Sequence, residues 1–132
     1  MVLRFIFEVS REIPLVGVKQ VAEFLDISLP SAHELLSRLA KEKGLLIRVE
    51  RKGYMLSEEG MSVARRLVIA HRILEVVFCD IFGMDADDAC SMATYIDYLI
   101  DHEYIINAFK YLGCPDCCPH NKKIPIGGEV CE

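Results

Sequence analysis

The stretch VKQVAEFLDISLPSAHELLSRLA, residues 18–40, decides the fold that this sequence predicts. Its apolar side chains recur at the i, i+3, i+4, i+7 spacing of a helix, first up to Leu25 and then again towards Gly44. Between these segments Ser28 is a predicted N-cap, and Pro30 is tolerated in the first turn of the second helix. Two short helices with a tight connection, the second with a polar outer face, are typical of a helix-turn-helix.

The flanking residues extend this motif. Leu3, Ile6 and Phe7 have helical spacing and predict a preceding helix that ends before Pro14. Residues 46–50 and 54–56 have β-like composition, and the basic tip RKG joins them as a hairpin. A helix-turn-helix followed by such a hairpin predicts a winged helix.

The outward face of the third helix and the tip of the wing are the predicted DNA-contacting surfaces. Arg38 suits base edges or phosphates, and the serine hydroxyls can donate hydrogen bonds. Arg51 and Lys52 suit phosphates in any sequence. The alternative is that these residues form only the solvated face of a helical packing domain. The complete predicted set is Ser28, Ser31, His33, Ser37, Arg38, Arg51 and Lys52.

Charge divides the chain into two unlike halves. The net charge is -5 over 132 residues, which is unusual for a DNA-binding protein. Residues 1–66 hold 11 Lys and Arg against 9 Asp and Glu, whereas residues 67–132 hold 4 against 11. Only the first half is suited to facing phosphates, and the acidic second half suits cations.

A long helix is predicted from an N-cap at Ser57 to about Phe82, with acidic residues in its first turn. His71, Glu75 and Cys79 lie at i, i+4, i+8 along it and share one stripe. Neighbouring members of the stripe lie about 6 Å apart along the axis, so two of them can share a metal ion. The alternative is an ordinary helical His-Glu pair.

Two further helices are predicted beyond that point. Asp85 caps a helix that contains Cys90, and Asp101 caps a last helix that runs to Leu112 and ends at Gly113. Together with the long helix they carry more apolar surface than one chain can bury. The sequence therefore predicts a helical homodimer interface.

The densest cluster of candidate metal ligands lies in CPDCCPH, residues 114–120. Cys114 and Cys117 have the spacing of a zinc half-site, and Cys118 and His120 add two further candidate ligands. Cys117 and Cys118 point apart, so one ion is not expected to bind all four residues. One alternative is an iron–sulfur cluster held by Cys90 with Cys114 and either Cys117 or Cys118. Another is a proline-rich turn that packs against the dimer core.

The six cysteines also bear on the cellular compartment. No apolar run approaches the roughly 20 residues that span a bilayer, and the N-terminus lacks a signal sequence. We therefore expect a cytoplasmic protein. In that reducing compartment the cysteines are expected to be metal ligands, redox thiols or packing residues, whereas a secreted disulfide framework is the alternative.

An ordered set of motifs resembles the iron- and manganese-dependent repressors related to the diphtheria toxin repressor. The set covers nearly the whole chain and is more specific than any single motif. It consists of SEEG at 57–60, ARR at 64–66, AHRILE at 70–75, DAC at 88–90, CPH at 118–120 and IP at 124–125. The resemblance implies a mainly α fold with a small β-wing: a winged helix over 1–62 and a helical dimerisation and metal-binding domain over 63–132.

The same resemblance implies particular metal ligands. His71 and Glu75 match two ligands of a metal site in the family, and Cys90 matches a cysteine ligand of its iron-responsive members. The family's Glu-His pair after that cysteine is replaced by Ala93-Thr94. If one helical turn is inserted, Asp97 takes the place of the glutamate.

We interpret the chain as a metal-responsive transcriptional regulator, most simply a repressor, and not as an enzyme. The resemblance implies a divalent metal as corepressor (iron, manganese or zinc) and a dimer on palindromic double-stranded DNA. One alternative is an iron–sulfur or thiol redox-sensing regulator. Another is a metal-binding protein whose winged helix contacts proteins. No acid-base pair, nucleophile constellation or phosphate-binding glycine loop points to catalysis.

Overall fold

The computed structural model describes residues 1–131, which form six α-helices, a two-stranded sheet and a short 3-10 helix. The chain packs as two units, Met1–Arg65 and a second that begins at Arg66. This mainly helical architecture with a β-wing confirms the predicted fold class. Among the described helices, none has both the length and the apolar composition needed to cross a membrane.

Three helices build the first unit: α1 (Val2–Val9), α2 (Val18–Leu25) and α3 (Leu29–Lys41). α3 begins as predicted, because the Ser28 hydroxyl accepts a hydrogen bond from the Ser31 amide at 3.3 Å. The apolar faces of the three helices supply buried side chains at Val2, Leu3, Ile6, Val21, Ala22, Ala32 and Leu36.

The wing is an antiparallel pair, β1 (Leu46–Val49) and β2 (Gly53–Leu56). Val16 and Tyr54 exchange two backbone hydrogen bonds of 2.9 Å, which fasten β2 to the segment before α2. Gly53 has φ +135°, and a Cβ there would lie 2.7 Å from the Val16 carbonyl oxygen. Glycine is therefore required where the wing approaches this segment.

The long helix α4 covers Glu58–Asp80 and ends slightly before the predicted Phe82. Ser57 caps it, because its hydroxyl accepts from the Gly60 amide at 3.0 Å. The same hydroxyl donates to the Gly44 carbonyl at 2.6 Å. A Cβ at Gly60 would lie 1.8 Å from the Leu45 carbonyl oxygen, so the first turn of α4 packs directly against the backbone before β1.

The second unit adds α5 (Ala86–Ile96) and α6 (His102–Tyr111) to the remainder of α4. Asp85 caps α5 as predicted, by accepting from the Asp88 amide at 2.8 Å. Asp101 occupies the N-cap position of α6 without a side-chain cap hydrogen bond. The core of this unit consists of Ile69, Ala70, Ile73, Leu74, Val76, Phe78, Ala89, Ala93, Ile105, Phe109 and Ile124.

Candidate metal centre and nucleic-acid interface

Two buried polar residues of α4 form the centre of the candidate metal site. His71 and Glu75 are each 2% exposed although they lie on a helix whose other inward residues are apolar. Nε2 of His71 lies 3.1 Å from Oε1 of Glu75. A buried carboxylate and imidazole are costly unless they are paired or bind an ion, so this pair marks a functional site.

Two residues from α5 and its C-terminal end lie beside the two nitrogens of the His71 ring. Sγ of Cys90 lies 3.4 Å from Nε2, the nitrogen that also faces Glu75. On the other side, Oδ2 of Asp97 lies 3.1 Å from Nδ1. Asp97 is the C-cap residue of α5 and is itself buried. Asp97 therefore fixes the orientation of the imidazole from the side opposite to Glu75 and Cys90. It does not add a further metal donor beside Cys90.

The loop after α6 delivers two more donors. The Cys118 amide donates to the Lys122 carbonyl at 2.9 Å, and the Asn121 amide donates to the Cys118 carbonyl at 2.8 Å. Asn121 adopts φ +60°, which suits the tight turn that these bonds close. The turn buries Cys118 and presents the partly exposed His120 to α4.

His120 lies between two carboxylates. Its Nδ1 is 2.9 Å from Oε2 of Glu75, and its Nε2 is 2.9 Å from Oδ1 of Asp87. These hydrogen bonds, with Asp87 the stronger influence, raise the pKa of His120. Burial raises the pKa of Glu75, but hydrogen bonds from His71 and His120 and the charges of both rings outweigh it, so the pKa lies below its ordinary value.

Two donor trios result, and they share one residue. The first is His71, Glu75 and Cys90, and the second is Glu75, Cys118 and His120. Within each trio the donor atoms lie within 4.8 Å of one another. Each trio offers one imidazole nitrogen, one thiol sulfur and one carboxylate oxygen, a mixed set that fits borderline divalent ions such as zinc and iron(II). The donors present therefore fit a divalent transition metal.

The structure departs from the expected ligand set at Cys114. Its sulfur is bonded to that of Cys131, with the Cα atoms 6.3 Å apart. A disulfide sulfur offers no thiolate, so neither the predicted ligand role of Cys114 nor an iron–sulfur cluster that includes it fits this arrangement. Of the roles expected for the cysteines, which were metal ligand, redox thiol or packing residue, the role of metal ligand does not fit this bonded pair.

Two other cysteines lie outside both trios. Cys117 is a free, half-buried thiol whose residue pairs with Lys123 across an isolated antiparallel bridge. Cys79 shares the stripe of His71 and Glu75 but packs against the apolar core of the second unit. Burial raises the pKa of the Cys79 thiol, and nearby carboxylates, Asp80 first among them, raise it further. Both features disfavour a thiolate at Cys79.

Sequence reasoning missed the contacts of Asp87 and Asp97. The family resemblance implies Asp97 only as a substitute ligand, and Asp87 lies 33 residues from the histidine that it contacts. The acidic segment DADD at residues 85–88 resembles ordinary helix capping, and no local spacing connects it to His120. Asp87 and His120 come together only through the tertiary fold of the second unit.

The predicted DNA-contacting residues lie in the first unit. Ser31, His33 and Arg38 are exposed on α3, whereas Ser37 is half-buried. Arg38 forms an ion pair with Glu34 at 2.9 Å. Ser28 is exposed and is engaged with Ser31, both as its N-cap acceptor and through a hydroxyl contact of 2.9 Å.

The wing tip lies beside a basic depression. Arg51 adopts φ +63° at the turn, and both it and Lys52 are exposed. The depression has a volume of about 260 Å³ and is open to solvent. Four side chains that carry or can acquire positive charge line it, which suits an anionic backbone. They are His33, Arg48, Arg51 and Lys52.

Comparison with protein families matches both halves of the chain. Residues 1–54 match the iron dependent repressor, N-terminal DNA binding domain, and residues 57–126 match the iron dependent repressor, metal binding and dimerisation domain. The chain therefore belongs to the family of iron-dependent repressors, which confirms the resemblance noted in the sequence. The members of this family are transcriptional repressors and not enzymes.

Individual relatives agree with this assignment. An uncharacterized HTH-type transcriptional regulator of Aeropyrum pernix is 30% identical over 84% of this chain and 61% of its own length. The diphtheria toxin repressor of Corynebacterium jeikeium is 26% identical over 100% of this chain and 55% of its own length. The chain thus spans little more than half the length of these curated relatives.

Solved structures show the same architecture. The manganese regulator SloR superposes with a TM-score of 0.84 at 28% identity, covering 96% of this chain and 58% of that one. A hypothetical protein from Sulfolobus solfataricus superposes with a TM-score of 0.74 at 31% identity and covers 94% of this chain and 96% of its own. This second similarity spans almost the whole of both chains.

Proposed function

We propose that this protein is a metal-responsive transcriptional repressor that binds palindromic operator DNA as a homodimer, with a divalent transition metal as corepressor. The observation that carries the proposal is the buried trio His71, Glu75 and Cys90 in a chain of the iron-dependent repressor family. A repressor acts where the DNA is, so we expect the protein in the cytoplasm.

The metal would be held by residues of α4, α5 and the loop after α6. His71 and Glu75 supply nitrogen and oxygen from adjacent turns of α4, and Cys90 supplies sulfur from α5. Cys118 and His120 are the further candidates from the loop. When bound, the ion would link these three segments directly, in addition to the apolar core and the hydrogen bonds that already join them. The thiolates favour iron(II) or zinc over manganese.

DNA would be bound by the winged helix of the first unit. α3 would present Ser31, His33 and Arg38 to a major groove, and Arg51 and Lys52 of the wing would contact phosphates. Ser28 and Ser37 are secondary candidates, because Ser28 is already used as a helix cap and Ser37 is half-buried. The exposed basic depression beside the wing supports this assignment.

A homodimer would cover the apolar surface of the second unit. Ile81, Phe82 and Tyr111 are 61%, 64% and 89% exposed, which is unusual for large apolar side chains. Ile81 and Tyr111 also line an open groove of about 350 Å³ between the end of α4 and α6. This apolar surface suits the dimerisation role that the matching family domain carries.

Metal binding and DNA binding would be coupled because both ligands bind preferentially to the same conformation of the protein. A corepressor shifts DNA binding only by its differential affinity for the competent state. α4 is the element through which this would act, because it carries two donors and begins immediately after the wing.

A selection of DNA from a random duplex library tests the proposal. The library is offered to chelator-treated protein and to protein loaded anaerobically with iron(II), zinc or manganese. Enrichment of a two-fold symmetric sequence only by metal-loaded protein is expected. Equal enrichment with and without metal contradicts the corepressor role. Weak, salt-insensitive retention of all sequences indicates instead a metal-binding protein whose winged helix contacts proteins.

The Cys114–Cys131 disulfide favours thiol redox sensing as a second candidate function. It fastens the C-terminal 3-10 helix to the start of the loop that carries Cys118 and His120. If this is the sensor, the selected duplex would be bound differently by oxidised and reduced protein in the absence of metal. Under the metal proposal, oxidation state alone leaves the affinity unchanged.

A further inference from the structure

The only disulfide among the described residues joins a half-buried cysteine to an exposed one. Cys114 lies just after α6 and is half-buried, whereas Cys131 ends the C-terminal 3-10 helix and is exposed. Val130 of that helix packs against the apolar core, but Gly128 and Glu129 are exposed. Other thiols therefore have access to the bond, and accessible disulfides are the ones that exchange readily.

A third cysteine of the same loop is a free thiol at the spacing of redox-active pairs. Cys117 follows Cys114 in the sequence CPDC and is half-buried. C-x-x-C is the spacing of dithiols that form and open disulfides reversibly. In this chain the first cysteine of the pair is bonded to Cys131 and the second is reduced. Cys114 therefore has both a nearby nucleophile and a leaving group.

The neighbouring free thiol of the loop is directed elsewhere. Cys118 is buried, and its sulfur lies within 4.8 Å of donor atoms of Glu75 and His120. Cys117 pairs with Lys123 across an antiparallel bridge, so its segment is extended. Consecutive side chains of an extended segment point to opposite sides, so Cys117 faces away from the group around Glu75. Cys117 is thus the thiol of the loop that is available for exchange.

The hydrogen bonds around Cys117 make the loop sensitive to such an exchange. On one side of it the Asp116 carbonyl accepts from the Ile124 amide at 2.8 Å. On the other side the Cys118 amide donates to the Lys122 carbonyl at 2.9 Å. A disulfide within CPDC needs a tight turn in place of this extended pairing. The two alternative disulfides therefore favour different conformations of the loop.

We propose that Cys114, Cys117 and Cys131 form a thiol–disulfide exchange site. The thiolate of Cys117 attacks Sγ of Cys114, a new S–S bond forms between them, and the bond to Cys131 breaks. Cys131 leaves as a thiolate and takes up a proton in place of the one that Cys117 lost, so the exchange consumes neither oxidant nor reductant. An external dithiol reduces either bond by two electrons and itself becomes a disulfide.

The exchange opens a covalent ring that contains two candidate metal ligands. With Cys114 bonded to Cys131, the ring of residues 114–131 encloses Cys118 and His120. A bond to Cys117 leaves both outside the ring and releases the C-terminal 3-10 helix. The site would supply the chemistry of the redox-sensing candidate function and deepens it, whereas the exchange step itself requires neither metal nor DNA.

Release of Cys131 from oxidised, chelator-treated protein tests the site. The full chain is incubated without reductant beside a polymer-linked maleimide, which traps exposed thiols faster than half-buried ones. The remaining thiols are then blocked with N-ethylmaleimide, and trypsin separates residues 111–122 from residues 124–132. Mass spectrometry follows two products over time. One is the disulfide-linked pair of peptides, and the other is peptide 111–122 with an internal disulfide.

The wild type should convert the linked pair into the internally bonded peptide at a rate that is independent of protein concentration. C117S should lose the linked pair at least about tenfold more slowly, because the intramolecular route is gone. C118S tests the adjacent thiol, and C79S is the control for loss of a thiol outside the loop. Both should exchange at the wild-type rate, and circular dichroism checks the fold of each variant.

The outcomes keep the exchange site separate from the proposed functions. Absence of the linked pair from oxidised wild type, or its persistence throughout the incubation, overturns the site. A rate that C117S leaves unchanged, or that C118S alone abolishes, also overturns it. Exchange together with equal DNA selection by oxidised and reduced protein supports the site and contradicts the redox-sensing candidate. Metal-dependent DNA selection without exchange contradicts the site and still supports the repressor.

Discussion

Asp97 holds the buried ring of His71 from the side opposite to Glu75, with 3.1 Å between Oδ2 and Nδ1. Both residues are almost fully enclosed, at 6% and 2% exposure. Because the carboxylate accepts from Nδ1, Nε2 is the nitrogen left to face Glu75 and Cys90. The relationship connects the end of α5 to the orientation of a candidate metal ligand on α4.

D97N should therefore weaken metal binding without unfolding the protein. Loss of such an outer carboxylate typically costs about 10- to 100-fold in affinity. Cobalt(II) competition against a chelator measures the affinity, and nitrogen NMR of the His71 ring reports its tautomer. D101N is the matched control, because Asp101 is exposed and its side chain makes no cap hydrogen bond. Wild-type affinity and an unchanged tautomer in D97N would contradict the positioning role.

The wing should contribute binding that is independent of DNA sequence. Arg51 and Lys52 are exposed at its tip, where each can neutralise one phosphate. R51Q and K52Q should each weaken binding to all duplexes alike and reduce the slope of log affinity against log salt by about 0.9. Fluorescence anisotropy over a range of salt concentrations measures both effects. K110Q, a substitution of an exposed lysine in the second unit, is the control and should leave the slope unchanged. If K110Q reduced the slope as much as R51Q or K52Q, the wing would have no special role in binding phosphates.

The disulfide between Cys114 and Cys131 should stabilise the second unit. It joins residues 17 apart, and closing a loop of that length is worth about 3 kcal/mol in the chain-entropy description. C131S should lower the free energy of unfolding by roughly that amount in oxidising buffer and have little effect once the wild type is reduced. C117S is the control, since Cys117 is free. Denaturant titrations with and without reductant give the values, and a wild type insensitive to reductant would speak against the bond.

His102 should make the protein less stable in mild acid. Burial of its imidazole first, and then the charge of Arg66, hold its pKa below the ordinary value. The unfolded chain therefore takes up the proton first, so this contribution to stability is complete above about pH 6.5 and is lost as the pH falls through the folded-state pKa. Urea titrations at several pH values should show a shallower loss of stability in H102N. Parallel curves for the variant and the wild type would contradict this.

Local patterns predicted most of the fold. The helix-turn-helix followed from apolar spacing and from the Ser28 cap, because hydrogen bonds between near neighbours set both features. The hairpin of the wing followed from its composition and its RKG tip. These elements are decided within a few residues, so one sequence contains the information that specifies them.

The candidate site was predictable only in part. Helical spacing placed His71 and Glu75 together, but the same stripe also included Cys79, which joins the apolar core. The third donor comes instead from α5, and helix packing decides its position. The pairing of Cys114 with Cys131 and the contact of Asp87 with His120 likewise depend on the chain path between distant segments. No spacing rule contains that information.

The affinity of the selected duplex for chelator-treated and metal-loaded protein tests the central claim most directly. Both titrations are made by fluorescence anisotropy at one salt concentration, under anaerobic conditions, with the same protein preparation. The account predicts that loaded protein binds roughly 5- to 150-fold more tightly, the usual range of coupling between two ligands. Equal affinity of the two forms would contradict it.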